Sequence, residues 1–208
     1  CLSRAGEVLN LCRRVLIVTD SGVPETYARS VAEQCRTPVV VTVPAGEGSK
    51  SLAVFGQLLS RMLAEGFTRT DCVLALGGGV VGDLAGFAAA CFMRGIDFYN
   101  IPTTLLAQVD SSIGGKTAID LDGVKNCVGA FWQPRAVLID PDTLATLPRR
   151  QIANGMAEAV KMSLTSDAGL FRLFETGGEG DLETVILCSL EIKRRVVEAD
   201  EREGGMRR

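Results

Sequence analysis

Histidine is absent from this sequence of 208 residues. Its absence excludes every Ser-His or Cys-His mechanism built within this chain, because those mechanisms need an imidazole base beside the nucleophile. It also excludes a histidine-based metal site made from this chain alone.

A disulfide framework is missing as well. The seven cysteines form no C-x-x-C pair, and their number is odd. Several lie in apolar runs such as "DCVLAL" and "AAACFM", which is typical of buried, reduced thiols. We therefore expect a cytoplasmic protein, since thiols stay reduced in that compartment.

Long apolar runs and a strong charge of either sign are absent too. No run approaches the length of a membrane span, and the first residues lack the charged and apolar regions of a signal peptide. With 22 Lys and Arg against 25 Asp and Glu, the net charge is −3. This balance gives no electrostatic case for nucleic acid or an anionic membrane as a partner.

Short apolar strands alternate with amphipathic helices over the first two-thirds of the chain. The predicted strands are Arg14–Asp20, Pro38–Val43, Cys72–Leu76, Asp97–Ile101 and Ala136–Asp140. The predicted helices run from Pro24 to about Gln34, from Ser51 to Glu65 and from about Val80 to Cys91. This order predicts an α/β fold of Rossmann-like type, with a parallel sheet covered on both faces. After Pro148 the pattern is helical only, so we place a domain boundary near Leu147, with an α/β domain over 1–147 and the start of an α-helical domain over 148–208.

Polar and glycine-rich loops follow the first four predicted strands. They are "DSG" at 20–22, "AGEGSK" at 45–50, "GGGVVGD" at 77–83 and "PTTLLAQVDSSIGGK" at 102–116. Loops that follow parallel strands meet at one edge of the sheet, where ligands bind. Glycine backbone at a helix N-terminus suits a pyrophosphate, although "GGGVVG" taken alone is a weak motif that is equally compatible with a simple turn.

Several cations stand beside glycines or apolar residues, where an anionic substrate such as a phosphate or carboxylate could bind. They are Arg94, Lys116, Lys125 and Lys161. Solvated surface charge is the alternative for each of them. Glu158 lies three residues before Lys161 on the same predicted helix face, and it could hold a metal, a proton or only that lysine.

The blocks "LALGGGVVGDLAGFAAACFMRGI", "IPTTLLAQVDSSIGGKTAID", "KNCVGAFWQP", "LIDPDTLATLP" and "NGMAEAVK" closely resemble the 3-dehydroquinate synthase family, and the likeness extends over 15–207. The resemblance implies conversion of 3-deoxy-D-arabino-heptulosonate 7-phosphate to 3-dehydroquinate and phosphate, a step of the shikimate pathway. It also implies NAD and a divalent metal, zinc or cobalt, as cofactors. NAD⁺ would transiently oxidise a ring hydroxyl, after which phosphate leaves by β-elimination, the ketone is reduced again and an aldol step closes the ring.

The same resemblance implies the site residues. The positions that match NAD contacts are Asp20, Glu47, Lys50, Gly78, Gly79, Val80, Asp83, Thr103, Thr104, Lys125, Thr143 and Thr146. The positions that match substrate contacts are Arg94, Asp110, Lys116, Asn126, Asn154, Lys161, Lys193 and Arg207. Glu158 matches a metal ligand and Glu203 a proton acceptor, so Glu203, Lys116 and Arg94 form the expected catalytic set.

The chain departs from the family pattern at both ends. The two histidine ligands of the family would fall after Arg208, and the usual first strand hairpin would precede Val15. We therefore expect a fragment that is inactive alone and that forms a homodimer at full length. Three alternatives remain open: a related sugar phosphate cyclase, such as a 2-deoxy-scyllo-inosose synthase, whose substrate lacks the carboxylate; an NAD-dependent polyol dehydrogenase; and a noncatalytic NAD-binding module.

Overall fold

A five-stranded parallel sheet forms the centre of the chain in the computed structural model, which describes residues 2–177 and 181–205. Its strands are β1 (Arg14–Asp20), β2 (Thr37–Val43), β3 (Cys72–Gly77), β4 (Asp97–Pro102) and β7 (Ala136–Val137). They lie in the order β2-β1-β3-β4-β7 with every pairing parallel. A separate antiparallel hairpin joins β5 (Lys116–Leu121) to β6 (Val124–Phe131). The predicted α/β class is therefore confirmed.

Helices cover both faces of the sheet and continue to the end of the described chain. They are α1 (Ala5–Val8), α2 (Glu25–Ala32), α3 (Leu52–Ala64), α4 (Gly79–Cys91), α5 (Arg149–Ser166), α6 (Ala168–Glu175) and α7 (Leu182–Ala199). Short 3-10 turns span Leu2–Arg4, Glu47–Ser49, Phe92–Arg94 and Pro141–Thr146, and a π-helical turn spans Ala107–Ser111. Among the helices of the described residues, none is both long and apolar enough to cross a membrane.

Two hydrophobic clusters sandwich the sheet because alternate side chains of each strand point to opposite faces. On one face, Leu16 and Val73 pack with Phe55 of α3 and Leu84 of α4. On the other face, Ile17, Leu74 and Ile101 pack with Val31 of α2 and with the N-terminal residues. This burial on both faces explains why the strands are nearly continuous apolar runs.

The helical end of the chain packs onto the sheet through the π-helical turn. Leu105 and Val109 of that region share a cluster with Leu144 and with Ile186 of α7. A further small cluster joins Met162, Leu170 and Ile192, which holds α5, α6 and α7 together. After Pro148 the described residues form the three helices α5, α6 and α7 with turns between and after them, and none of these residues is in a strand.

The structure corrects two elements of the sequence-based prediction. The fifth sheet strand has only two residues, Ala136–Val137; the Leu138 N–H still donates to the Asn100 carbonyl at 2.9 Å, and the chain enters a 3-10 turn at Pro141. The hairpin β5–β6 was not predicted, because β6 is largely exposed and so carries no apolar alternation. Its turn at Asp122–Gly123 has positive φ at both residues, the backbone that tight hairpins require.

Candidate functional site

The glycine-rich turn between β3 and α4 packs closely against the loop after β4. The Gly77 carbonyl accepts a hydrogen bond from the Thr103 N–H at 2.9 Å. A Cβ atom at Gly78 would lie 3.0 Å from Thr104 Cγ2, and one at Gly79 would lie 3.0 Å from Ser111 Oγ. A side chain at either position would crowd these neighbours, so glycine suits the close packing here, and α4 presents the free N–H groups of its first turn at this point.

A cleft of about 530 Å³ opens over this turn, and we call it the first cavity. It lies beyond the carboxyl ends of β1, β2, β3 and β4, where open parallel sheets bind their ligands. It is lined by ten of the twelve positions that the resemblance assigns to NAD: Asp20, Glu47, Lys50, Gly78, Gly79, Val80, Asp83, Thr103, Thr104 and Thr146.

The other two expected NAD positions do not line the cavity. Lys125 is exposed at the rim, with its Nζ 3.5 Å from Glu47 Oε1. Thr143 is buried, and its hydroxyl donates to the Asp140 carbonyl at 2.7 Å and accepts from the Gln108 amide at 3.1 Å. Its contacts make it part of the support beneath the cavity, and a direct role for either residue stays a prediction.

A second cavity of about 520 Å³ adjoins the first. Asp83, Ser111 and Asn126 line both cavities and so form their common wall. The second cavity also contains Asp110, Lys116, Lys193 and Glu203. Five residues predicted to bind substrate or to act in catalysis therefore meet in one place, although they come from the π-helical turn, β5, β6, α7 and the segment after α7.

The two lysines of the second cavity each have a carboxylate partner. Lys193 Nζ lies 2.6 Å from Asp110 Oδ1, and this pair ties α7 to the π-helical turn. Lys116 Nζ contacts the Glu203 carboxylate. An anionic ligand entering this cavity would find two ammonium groups, and it would compete with carboxylates for them.

Lys50 is a buried cation between the two cavities. Its side chain is 4% exposed, and Nζ lies 2.8 Å from Asp83 Oδ2 and 3.7 Å from Glu47 Oε1. It also donates a hydrogen bond to Asn126 Oδ1. Burial raises the pKa of the Asp83 carboxyl above its ordinary value, and the hydrogen bond from Lys50 offsets this only in part.

Ser111 is a site residue that the sequence reasoning did not single out. It closes the π-helical turn, a geometry often found at functional sites. Its Oγ is buried and, within the described residues, has no hydrogen-bond partner. A buried hydroxyl left without a partner beside a glycine turn is suited to a ligand. The sequence offers no signal that separates it from the adjacent Ser112, since only the turn geometry decides which serine faces the cavities.

Three predicted substrate positions in the described chain lie away from both cavities. Arg94 is exposed at the far end of α4, three residues before β4 begins, and so lies near the amino edge of the sheet, opposite the cavities. Asn154 is exposed on α5, with Nδ2 3.3 Å from Gln151 Oε1. Lys161 is exposed and pairs with Glu158. The structure does not bring these residues to the site, and their substrate roles stay predictions. Arg207 lies outside the described residues.

Glu158 has a cation as its neighbour rather than further metal ligands. Its side chain is 19% exposed, and its carboxylate contacts Lys161 Nζ. Over residues 2–177 and 181–205 there is no group of three His, Cys, Asp or Glu side chains that could hold a metal ion. One carboxylate does not make a catalytic zinc site, which takes about three protein ligands, so the described residues do not fit the metal by themselves.

Known proteins match this arrangement over the whole chain. The protein-family model described as "3-dehydroquinate synthase N-terminal" matches residues 40–154, and the family model described as "3-dehydroquinate synthase C-terminal" matches residues 155–208. A 3-dehydroquinate synthase of Pelobacter propionicus is 45% identical over 100% of this chain and 59% of its own length. That of Symbiobacterium thermophilum is 50% identical over 94% of this chain and 58% of its own. The chain thus spans less than two-thirds of the length of these relatives.

Solved structures of related cyclases share the fold. ValA, the 2-epi-5-epi-valiolone synthase of Streptomyces hygroscopicus subsp. jinggangensis 5008, was solved with NAD⁺ and Zn²⁺ bound. It is 32% identical to this chain, with a TM-score of 0.88, and the match covers 96% of this chain and 59% of ValA. The crystal structure of a 2-deoxy-scyllo-inosose synthase complexed with carbaglucose-6-phosphate, NAD⁺ and Co²⁺ is 34% identical, with a TM-score of 0.74. The match covers 78% of this chain and 46% of that protein's chain. From the two family models together with the alignments that cover 94–100% of this chain, the chain belongs to the 3-dehydroquinate synthase family.

Proposed function

We propose that this chain forms the NAD site and much of the substrate site of a 3-dehydroquinate synthase, which converts 3-deoxy-D-arabino-heptulosonate 7-phosphate to 3-dehydroquinate and phosphate. The observation that carries the proposal is the pair of adjoining cavities with a common wall. One holds a glycine turn at a helix N-terminus, and the other holds Lys116 and Lys193. A redox cofactor and an anionic sugar would thus lie side by side.

The first cavity suits NAD. The Gly78–Gly79 backbone and the first turn of α4 would bind the pyrophosphate. Asp20 and Glu47 lie at the carboxyl ends of the strands, where their carboxylates would accept hydrogen bonds from ribose hydroxyls. When bound, NAD⁺ supplies a hydride acceptor that is regenerated within the cycle. The buried Ser111 hydroxyl, which has no hydrogen-bond partner among the described residues, supports a ligand at the common wall.

In the second cavity, the residues of the chain bind, orient and move protons. Lys116 and Lys193 would hold the phosphate or carboxylate oxygens of the substrate as point charges. Glu203 lies against Lys116, within reach of a proton on a substrate held there. A small sugar phosphate as ligand and a homodimer as the assembled form belong to the same proposal.

The test is phosphate release from the heptulosonate phosphate, with NAD and zinc or cobalt supplied, by the natural polypeptide that contains these residues. We expect stoichiometric 3-dehydroquinate and no net growth of NADH absorbance. Net NADH would favour a polyol dehydrogenase. NAD binding without phosphate release would favour a noncatalytic module. Turnover of an analogue that lacks the carboxylate would favour another cyclase, the alternative supported by the likeness to 2-deoxy-scyllo-inosose synthase.

A further inference from the structure

Asn126 stands in the wall between the cavities with an unusual backbone. Its φ is +55°, in the left-handed region that non-glycine residues seldom adopt, although asparagine adopts it more readily than most. It lies in β6, one strand of an exposed hairpin, and it lines both cavities. The pairing with β5 is irregular at this point, so regular strand hydrogen bonds do not account for the conformation of Asn126. Other contacts must therefore stabilise it.

Asp120 supplies the contacts that hold this conformation. Its Oδ1 accepts a hydrogen bond from the Asn126 N–H at 2.8 Å. The irregularity in the hairpin falls between Ile119 and Leu121, which turns the Asp120 backbone away from β6. The Asp120 N–H instead donates to the Lys50 carbonyl at 2.8 Å. Asp120 therefore joins the loop after β2 to the left-handed residue of the hairpin.

Lys50 fixes which end of the Asn126 amide faces the ligand. An ammonium group has only donors, so the atom it meets must be the acceptor Oδ1. The opposite end of the amide, the NH₂ group, is then left for another partner. No residue of the described chain accepts a hydrogen bond from it, and Asn126 lines both cavities.

We propose that Asp120 and Lys50 are positioning residues that hold the Asn126 side chain as a hydrogen-bond donor to an acceptor oxygen of the substrate at the common wall. Asp120 sets the backbone of Asn126, and Lys50 sets the orientation of its amide. Only the identity of the ligand, a sugar phosphate, rests on the proposed function; the orientation of the amide does not.

The central variant is Asp120→Ala in the natural polypeptide that contains these residues. We expect KM for the heptulosonate phosphate to rise about 10-fold, the effect of one lost hydrogen bond, with kcat and NAD affinity within about twofold. Asp120→Asn keeps an acceptor oxygen and should restore most of the loss. Asp122→Asn is the matched control, since Asp122 lies two residues away in the exposed turn and asparagine tolerates its left-handed backbone; it should leave KM within about twofold.

A double-mutant cycle separates positioning from a general structural effect. Glycine adopts the left-handed backbone without help. In an Asn126→Gly background, Asp120→Ala should therefore add less than about twofold to KM, because its target is gone. Full additivity of the two changes would overturn the proposal, as would an unchanged KM for Asp120→Ala alone.

The orientation of the Asn126 amide can also be measured without enzymatic turnover, so this test does not depend on the proposed function. In the NMR spectrum of the natural polypeptide with its asparagine side chains labelled, Asp120→Ala should shift the side-chain NH₂ resonances of Asn126, and Asp122→Asn should not. If the wild-type protein releases no phosphate while these shifts occur, the proposed function fails and the positioning role stands. If neither variant shifts the resonances, the positioning role fails.

Discussion

Lys50 Nζ lies 2.8 Å from Asp83 Oδ2 at the junction of the two cavities. It donates a second hydrogen bond to Asn126 Oδ1 and forms an ion pair with Glu47 Oε1 at 3.7 Å. The resemblance assigns Lys50 to the NAD contacts, and Lys50 lines the first cavity while its ammonium group is held by protein oxygens. Lys50 thus connects the loop after β2, the helix α4 and the hairpin.

Replacing Lys50 by Met should destabilise the chain in a pH-dependent way. Loss of one partner of a buried ion pair costs roughly 3–5 kcal/mol, because the other charge is left without compensation. Burial already raises the pKa of Asp83, and the variant raises it further. A raised carboxyl pKa means that the folded state binds the proton more tightly, so stability is regained as the pH falls through that pKa.

Urea unfolding of Lys50→Met should therefore show a larger loss of unfolding free energy at about pH 7 than at about pH 5. Lys125→Met is the control, because Lys125 is exposed and meets only Glu47, so its effect should be below about 1 kcal/mol. An equal loss for Lys50→Met at both pH values would show that Asp83 is not the group left unpaired.

Gly79→Val should abolish close approach of a ligand to the glycine turn. The added Cβ would lie 3.0 Å from Ser111 Oγ, and the branches would enter the first cavity. We expect NAD affinity, measured by titration calorimetry, to fall by at least about 10-fold, equivalent to roughly 1.4 kcal/mol. Gly56→Val is the matched helix variant, since a Cβ there meets open space. Unchanged NAD affinity in Gly79→Val would remove the turn from the cofactor site.

Ser111→Ala and Ser112→Ala form a paired test of the common wall. Both hydroxyls are buried and, as far as the structure describes the chain, unpartnered, so neither change should lower the thermal midpoint. Only Ser111 lines the cavities. A rotation about its χ1 would bring the hydroxyl to a ligand, so we expect Ser111→Ala alone to weaken NAD binding by about 5–10-fold. Equal affinities for the two variants would make Ser111 a packing residue.

Thiol labelling should distinguish the cysteines by their burial. Burial raises the pKa of Cys72 to about 12 and that of Cys35 to about 11, so both remain protonated and unreactive at neutral pH. Cys127 is exposed and lines the second cavity. Peptide mass spectrometry after iodoacetamide treatment should find Cys127 modified and Cys72 intact until urea is added. Early modification of Cys72 would contradict the buried arrangement of β3.

The sequence alone predicted those features of the fold that depend on short stretches of residues and on their order along the chain. Branched runs predicted the four long strands of the sheet, and the order of loops predicted that Asp20, Lys50, Gly79 and Thr104 would meet. The hairpin escaped prediction because one of its strands is solvated on both faces. The positions of Arg94 and of Lys50 relative to the cavities could not be predicted, because they depend on the three-dimensional packing of distant segments. The length of α4 carries Arg94 to the opposite edge, and the partners of Lys50 come from residues 33 and 76 positions away.

The order of strands in the sheet has a consequence for how the chain acquires its ligand site. Strand β1 lies between β2 and β3, and each parallel pairing among β1, β2, β3 and β4 must close a loop that contains at least one α-helix, whereas β5–β6 closes through two residues. Such long-range closures are slow, so the hairpin should form early and the sheet late. The first cavity draws on the ends of four strands and cannot exist before that late step. A cofactor present during folding would therefore capture only finished molecules, and at 100 times its Kd it would stabilise them by about 2.7 kcal/mol.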